Sequence, residues 1–254
     1  MRTSEVFERL VLESARTLAS ACTYGRKRAL DDKDALAHIF SILRTGMQWR
    51  ELRAGVHCTT VLRRFHHWKR LGVFKEAYAK ALRTYQKLQP PKRYCVDSSY
   101  VKNRYGREGL GKNHTDRGRK ALKLSIISDD SGMVVGACCH PGNRPDVVLL
   151  DDTIRSAFVR LDALELFADR GYDSRRNRAL CRDMNLKDRI FRRKTKTVRR
   201  TNTKRIVVEH TFAWLDQYRR LLLCYEQAPD TYLTFSILAM GNIICKRLVR
   251  LQQS

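Results

Sequence analysis

Three acidic side chains stand at the ends of apolar runs, where a strand would deliver them to a sheet edge. Leu164 to Ala168 ends at Asp169, and Arg170 and Gly171 follow before a helical pattern begins near Asp173. Tyr94-Cys95-Val96 ends at Asp97, and Ile206-Val207-Val208 precedes Glu209. A buried strand ending in a carboxylate, with glycine letting the chain turn away, is a common way to hold a catalytic acid. Converging carboxylates suit magnesium, which wants oxygen ligands and keeps several waters, so a few acids plus substrate phosphate complete its shell. Two such ions about 4 Å apart can activate a water or a 3′-hydroxyl and stabilise the leaving oxygen of an in-line displacement. The expectation is that Asp97, Asp169 and Glu209 meet and bind Mg2+, as two ions, with Mn2+ able to substitute. The competing reading is three N-caps or surface acids.

Composition narrows the partners. The chain of 254 residues is long enough for one large domain or two small ones, and its 43% hydrophobic content supports a core. Its 51 Lys and Arg against 26 acids give a net charge of +25, and the pI is about 10.2. Such an excess repels itself unless an anionic partner neutralises it. Nucleic acid is the first candidate and an acidic membrane surface the second. No uninterrupted apolar run approaches the roughly 20 residues that span a bilayer, and the amino terminus lacks the apolar core of a signal peptide. None of the eight cysteines forms a C-x-x-C pair. That argues against zinc and a disulfide framework and for reduced, buried thiols in a cytosolic or nuclear protein. Cys138-Cys139-His140 makes a poor metal site, because adjacent strand residues point to opposite faces.

Residues 1–88 read as all helix. Phe7, Leu10, Val11 and Leu18 fit one helical face, and Tyr24 to Arg28 is a basic loop. Asp31 or Asp32 can cap a helix with the stripe Leu36, Ile39, Phe40 and Leu43, which ends at Gly46. Thr59 or Thr60 starts another, with Val61, Leu62, Phe65 and Trp68 inside and Arg63, Arg64, Lys69 and Arg70 among its bases. Two helices joined by a glycine-containing turn, the second rich in base, suit a helix-turn-helix that binds DNA. A small bundle with a solvated basic face is the alternative. A linker is expected over residues 89–93, around Pro90-Pro91, with the second domain over residues 94–254.

Beyond the linker the period changes. Tyr94 to Val101 is strand-like, Gly106 to Gly118 is a polar loop, and Ala121 to Ser128 and Met133 to Cys139 complete a three-strand meander. Asp146 can cap a helix through Phe158. The strand Leu164 to Ala168, a helix over Ser174 to Met184, a short strand near Ile190, a helix over Arg205 to Leu223 and an amphipathic helix over Tyr232 to Leu251 follow. Three strands, helix, strand, helix, strand, helix is the order of the ribonuclease H-like fold, a mixed α/β class. There the first and fourth strands lie side by side, which would make Asp97 and Asp169 neighbours. On the helix that follows, Val208, Phe212 and Leu215 form the core stripe and leave Glu209 on a separate face.

Leu166-Phe-Ala-Asp169-Arg-Gly-Tyr-Asp-Ser174, Arg205-x-x-x-Glu209-x-x-Phe212-x-x-Leu215 and Tyr218-Arg-Arg-Leu221 together resemble the DDE transposases of bacterial insertion sequences, most closely the insertion-sequence-five group. Ile42 to Leu52 and Thr60 to Phe74 resemble that group's amino-terminal helix-turn-helix region. The resemblance implies that Asp97, Asp169 and Glu209 are the acidic triad that binds two magnesium ions. It matches Arg205 to the arginine four residues before the glutamate. It implies DNA beside the basic segment from Lys187 to Arg205, including Arg192, Arg193, Lys194 and Lys204, and beside Arg170. The implied reaction is cleavage at terminal inverted repeats and joining of the 3′ ends to target DNA, by a homodimer or higher synaptic assembly in the cytoplasm at the nucleoid, or in the nucleus of a eukaryotic host. Asn202 stands where the signature often has tyrosine and Asp216 where it often has lysine, with Lys204 and Arg220 as candidate substitutes. The alternatives are a catalytically silent DNA-binding regulator derived from a transposase and a ribonuclease H-like nuclease.

Overall fold

The computed structural model describes residues 3–19, 30–53, 55–103, 105–192, 206–222 and 224–253. Two compact units form: residues 1–88 with 215–223 and 234–254, and residues 89–214 with 224–233. The late segments 215–223 and 234–254 group with the amino-terminal helices, which a division in chain order at 89–93 does not contain.

The first unit opens with α1 (Thr3–Ala19), α2 (Asp32–Thr45), α3 (Cys58–Arg70) and α4 (Val73–Leu88). Asp31 caps α2 by accepting the Lys33 N–H at 3.1 Å, which satisfies one orphan donor of the first turn. Gly46, at φ 72°, ends the helix by donating to the Ile42 carbonyl. His57 caps α3 in place of the expected Thr59 or Thr60, its ring nitrogen accepting the Thr59 N–H. The α2–α3 connection covers residues 46–57 and includes a 3-10 turn at Trp49–Glu51. The tight glycine turn is Leu71-Gly72, between α3 and α4, with Gly72 at φ 72°. The basic helix is therefore the first member of the closely joined pair rather than the second.

Aromatic rings fill this unit. Phe65 stacks on Phe235 at 4.8 Å, with Trp49 and Phe74 at 5.4 and 5.7 Å from it. Phe235 lies on α9 (Pro229–Leu251), which by length and composition could cross a bilayer, but 67% of its most apolar window is buried inside the protein, as in a core helix. Gly241 of α9 meets the tip of the Phe7 ring: a Cβ there would stand 1.9 Å from Phe7 Cζ. Gly241→Ala is thus expected to lower the thermal midpoint, although alanine gains about 1 kcal/mol in helix propensity. A thermal melt checks this, and Phe7→Leu in the same chain should restore part of the loss.

The second unit carries β1 (Arg93–Lys102), β2 (Gly111–Asn113), β3 (Arg119–Asp129), β4 (Val134–Pro141), β5 (Glu165–Ala168) and β6 (Lys187–Ile190). Their sheet runs β4–β3–β1–β5–β6, antiparallel up to β1 and parallel beyond it, with β2 extending the β4 edge of β3. This is the ribonuclease H-like order. β2 lies inside the expected loop Gly106 to Gly118; three residues between glycines are too few to show a strand period. Residues 121–129 of β3 are all buried, as expected of a strand covered on both faces.

Helices α5 (Asp146–Arg155), α6 (Arg175–Asp183), α7 (Ile206–Asp216) and the short α8 (Arg219–Leu222) follow in order. The expected helix from Arg205 to Leu223 is therefore two pieces, broken where the Tyr218 N–H turns back to the Leu215 carbonyl. Asp146 is the first residue of α5 and Pro145 its cap position, which frees the Asp146 carboxylate for other partners. The β3–β4 turn pins the start of β1: Asp130 accepts the Lys92 N–H at 2.8 Å, and Ser131 meets Gln89 at 2.8 Å. Asp129 accepts the Ser131 and Met133 N–H groups in the same turn, yet burial outweighs these bonds and pushes its carboxyl up to about 6.

The described thiols are free. Burial pushes those of Cys138 and Cys181 up to about 11 and that of Cys245 to about 12, so they stay protonated and unreactive near neutral pH.

Candidate active site

Neighbouring strands lead to two of the three acids. β1 runs parallel to β5 with Cys95 opposite Phe167. The pairing ends there, and Asp97 and Asp169 each follow two residues further on, so both acids leave the paired segment in the same direction. β5 ends at Ala168, and Asp169 then opens a 3-10 turn, Arg170–Tyr172, by accepting the Arg170 N–H at 2.7 Å. Asp97 lies mid-strand, half-buried, and accepts the Ser98 N–H at 2.9 Å.

Glu209 is exposed on the first turn of α7. The helix is held by the opposite side: the Thr211 hydroxyl donates to the Gly132 carbonyl at 2.9 Å, and Trp214 lies against Gly132. Thr211 and Leu215 are buried with Val208, while Phe212 is only half-buried. The stripe that anchors α7 is thus Val208, Thr211 and Leu215. Among the described residues no three His, Cys, Asp or Glu side chains gather closely enough to hold a metal ion. Asp97, within β1, and Asp169, just past the end of β5, follow neighbouring parallel strands, and Glu209 does not join them in one cluster among the described residues.

A fourth acid lies between the first two. Asp146 accepts the Ser98 hydroxyl at 2.6 Å, and the Lys123 ammonium lies at 2.6 Å from the same oxygen. Its other oxygen sits against Gly171, where a Cβ would stand 3.0 Å away. Asp146 therefore touches the residue after Asp97 and the residue two beyond Asp169. Lys123 is 5% exposed, also reaches the Arg144 carbonyl at 3.3 Å, and lies 4.9 Å over the ring of Tyr100, its partner across β1 and β3. Below them Tyr172 is fully buried beside the Ser98 and Ser125 hydroxyls, and burial pushes its phenol well above its usual value, helped by the carboxylates of Asp146 and Asp97. Asp146 reads as a helix cap in the sequence, and its role shows only once the strands are paired. Lys123 carries a signal: a lysine within the apolar run Ala121 to Ile127 must find a partner when buried.

The basic residues divide. Arg63 and Arg70 are exposed on α3 and Lys69 is half-exposed, whereas Arg64 is 11% exposed, pairs with Asp32 and lies 5.7 Å from the Trp68 ring. Arg64 is neutralised inside its own unit. Arg170 and Arg192 are exposed. Arg193, Lys194, Asn202, Lys204 and Arg205 lie outside the described residues, as does the loop Tyr24 to Arg28. Arg220 is no substitute for a DNA-facing lysine: it is 3% exposed, donates to the Met47 carbonyl at 3.0 Å and covers the Phe235 ring at 5.4 Å.

A mixed sheet of this order, with an acid on β1 and another just past β5, defines a ribonuclease H-like protein. The sequence family described as Transposase DDE domain matches residues 88–240, and a family of transposases of IS4/5 type matches residues 5–78. A Burkholderia cepacia protein assigned as the transposase for insertion sequence element IS402 is 34% identical over 171 residues, 64% of this chain and 79% of that protein. The piggyBac transposase in its synaptic complex with hairpin DNA aligns over 96% of this chain and 72% of its own, at 11% identity and a TM-score of 0.44. This chain belongs to the DDE transposase family, of the IS4/5 type.

Proposed function

We propose that the protein is an active transposase that binds terminal inverted repeats, cleaves the DNA strand there, and transfers the 3′ ends to target DNA. The observation that supports this reading is that the parallel neighbours β1 and β5 lead towards Asp97 and Asp169 in a chain of the DDE family. Asp97, Asp169 and Glu209 are the residues that would hold two Mg2+ ions, or Mn2+. Their oxygens, with substrate phosphate and water, are the hard donor set such ions take. Bound there, the ions would activate the attacking oxygen and stabilise the leaving one. Asp146 would steady the strand carrying Asp97, through Ser98, and the turn that follows Asp169, at Gly171. Residues 1–88 supply DNA binding through Arg63, Lys69 and Arg70 of α3, and residues 94–254 supply the chemistry, with Arg170 and the basic segment 187–205 along the DNA. The working form is a homodimer or higher assembly on double-stranded DNA, in the cytoplasm at the nucleoid.

The test is cleavage of a DNA fragment carrying the inverted repeats that flank the gene, in magnesium, with Asp97→Asn as control. Cutting at the repeat ends that disappears in the control is the expected result. Specific binding without cutting, in manganese as well, would instead identify a silent regulator. Cutting of branched DNA regardless of the repeats would identify a structure-specific nuclease.

A further inference from the structure

We propose that the hairpin made by β2 and the start of β3 is a docking surface for duplex DNA, gripping its phosphate backbone without reading sequence. The proposal rests on the reading of the chain as a DNA-acting protein and adds a surface that neither the acids nor α3 provides. Residues 102–120 hold seven Lys and Arg against two acids, Glu108 and Asp116. Among the described residues, Asp116 faces Lys102 at 3.5 Å and Arg119 at 3.7 Å, and no ion pair reaches Lys112, Arg117 or Lys120. All three are exposed.

The register makes the charge costly. Lys112 lies directly opposite Lys120 across β2 and β3, and like charges in facing positions oppose strand pairing. Arg117 is held at the tip with φ 51°, a left-handed backbone that bulky side chains seldom adopt. The hairpin is nevertheless firmly built. At its tip the Asn113 side chain accepts the Thr115 N–H and hydroxyl at 2.9 and 2.7 Å, and the Gly118 N–H returns to the Asn113 carbonyl at 2.9 Å. At its root Asn103 donates to the Glu226 carbonyl at 2.7 Å, and the Arg107 N–H donates to the Gln227 carbonyl at 3.0 Å. A rigid two-stranded element that gathers cations against their mutual repulsion fits an anion with charges at fixed spacing. Duplex DNA presents one phosphate per about 1.7 Å of axis, whereas a flexible single strand offers no fixed array.

The experiment is fluorescence anisotropy of the full chain with a mixed-sequence duplex, without divalent metal, across a salt series. Lys112→Gln/Arg117→Gln/Lys120→Gln should bind more weakly on every sequence, with a salt slope shallower by about 2–3, since each phosphate no longer neutralised removes about 0.9. An unchanged slope in a variant that keeps its circular dichroism overturns the proposal while leaving the transposase reading intact. Failure of the wild-type chain to bind duplex at all overturns both. Equal loss on single-stranded DNA or RNA overturns the duplex assignment. Lys112→Glu gives a second readout: it should raise the thermal midpoint by pairing with Lys120 while weakening duplex binding. A lowered midpoint with unchanged binding would also overturn it.

Discussion

Replacing Asp169 with Asn is expected to lower magnesium-dependent cleavage by about a thousandfold or more, roughly 4 kcal/mol of transition-state stabilisation, while barely changing stability. A neutral amide is a poor ligand for a hard cation, so the loss falls on the chemical step. Asp169 accepts the Arg170 N–H with one oxygen and opens the 3-10 turn, and an Asn oxygen can accept the same bond. Asp169 is exposed, and losing its charge also relieves repulsion from Asp97. The thermal midpoint should stay the same or rise, and DNA affinity in the absence of metal should stay within about a factor of two or three. A stable Asp169→Asn protein that still cuts would remove Asp169 from the chemistry.

Most of what positions this pair is legible in the chain because it depends on local pattern. Apolar runs ending at Asp97 and Asp169 are strands, and the element order places those strands side by side. Long-range partners are not legible. Asp146 follows a proline and precedes an apolar helix, so its local context reads as a cap; its bonds with Ser98, 48 residues away, and with Lys123 exist only because β1, β3 and α5 converge. Arg64 and Arg220 read as surface bases for the same reason, since sequence does not record that Asp32, Met47 and Phe235 wait for them. The hairpin strand β2 is hidden by its length, and the break between α7 and α8 by an apolar period that continues through it.

The pairing of Lys123 with Asp146 sets up the largest expected effect on stability. Lys123→Met would leave the Asp146 carboxylate without its buried counter-charge, with the Ser98 hydroxyl at 2.6 Å and water left to satisfy it. Removing one partner of a buried pair costs about 3–5 kcal/mol. The Asp146 side chain is 32% exposed, so water recovers part of that and about 2–4 kcal/mol is expected, read from urea unfolding. Lys123→Met/Asp146→Leu should be more stable than Lys123→Met alone, because an apolar pair of similar volume often equals a buried ion pair. The coupling between the two positions should exceed about 1 kcal/mol, as for residues that touch directly. Activity separates the roles further. If Asp146 only stabilises the fold, the double variant regains cleavage along with stability. If Asp146 positions Asp97 through Ser98 and Asp169 through Gly171, the double variant is stable and still slow, and its apparent magnesium requirement rises.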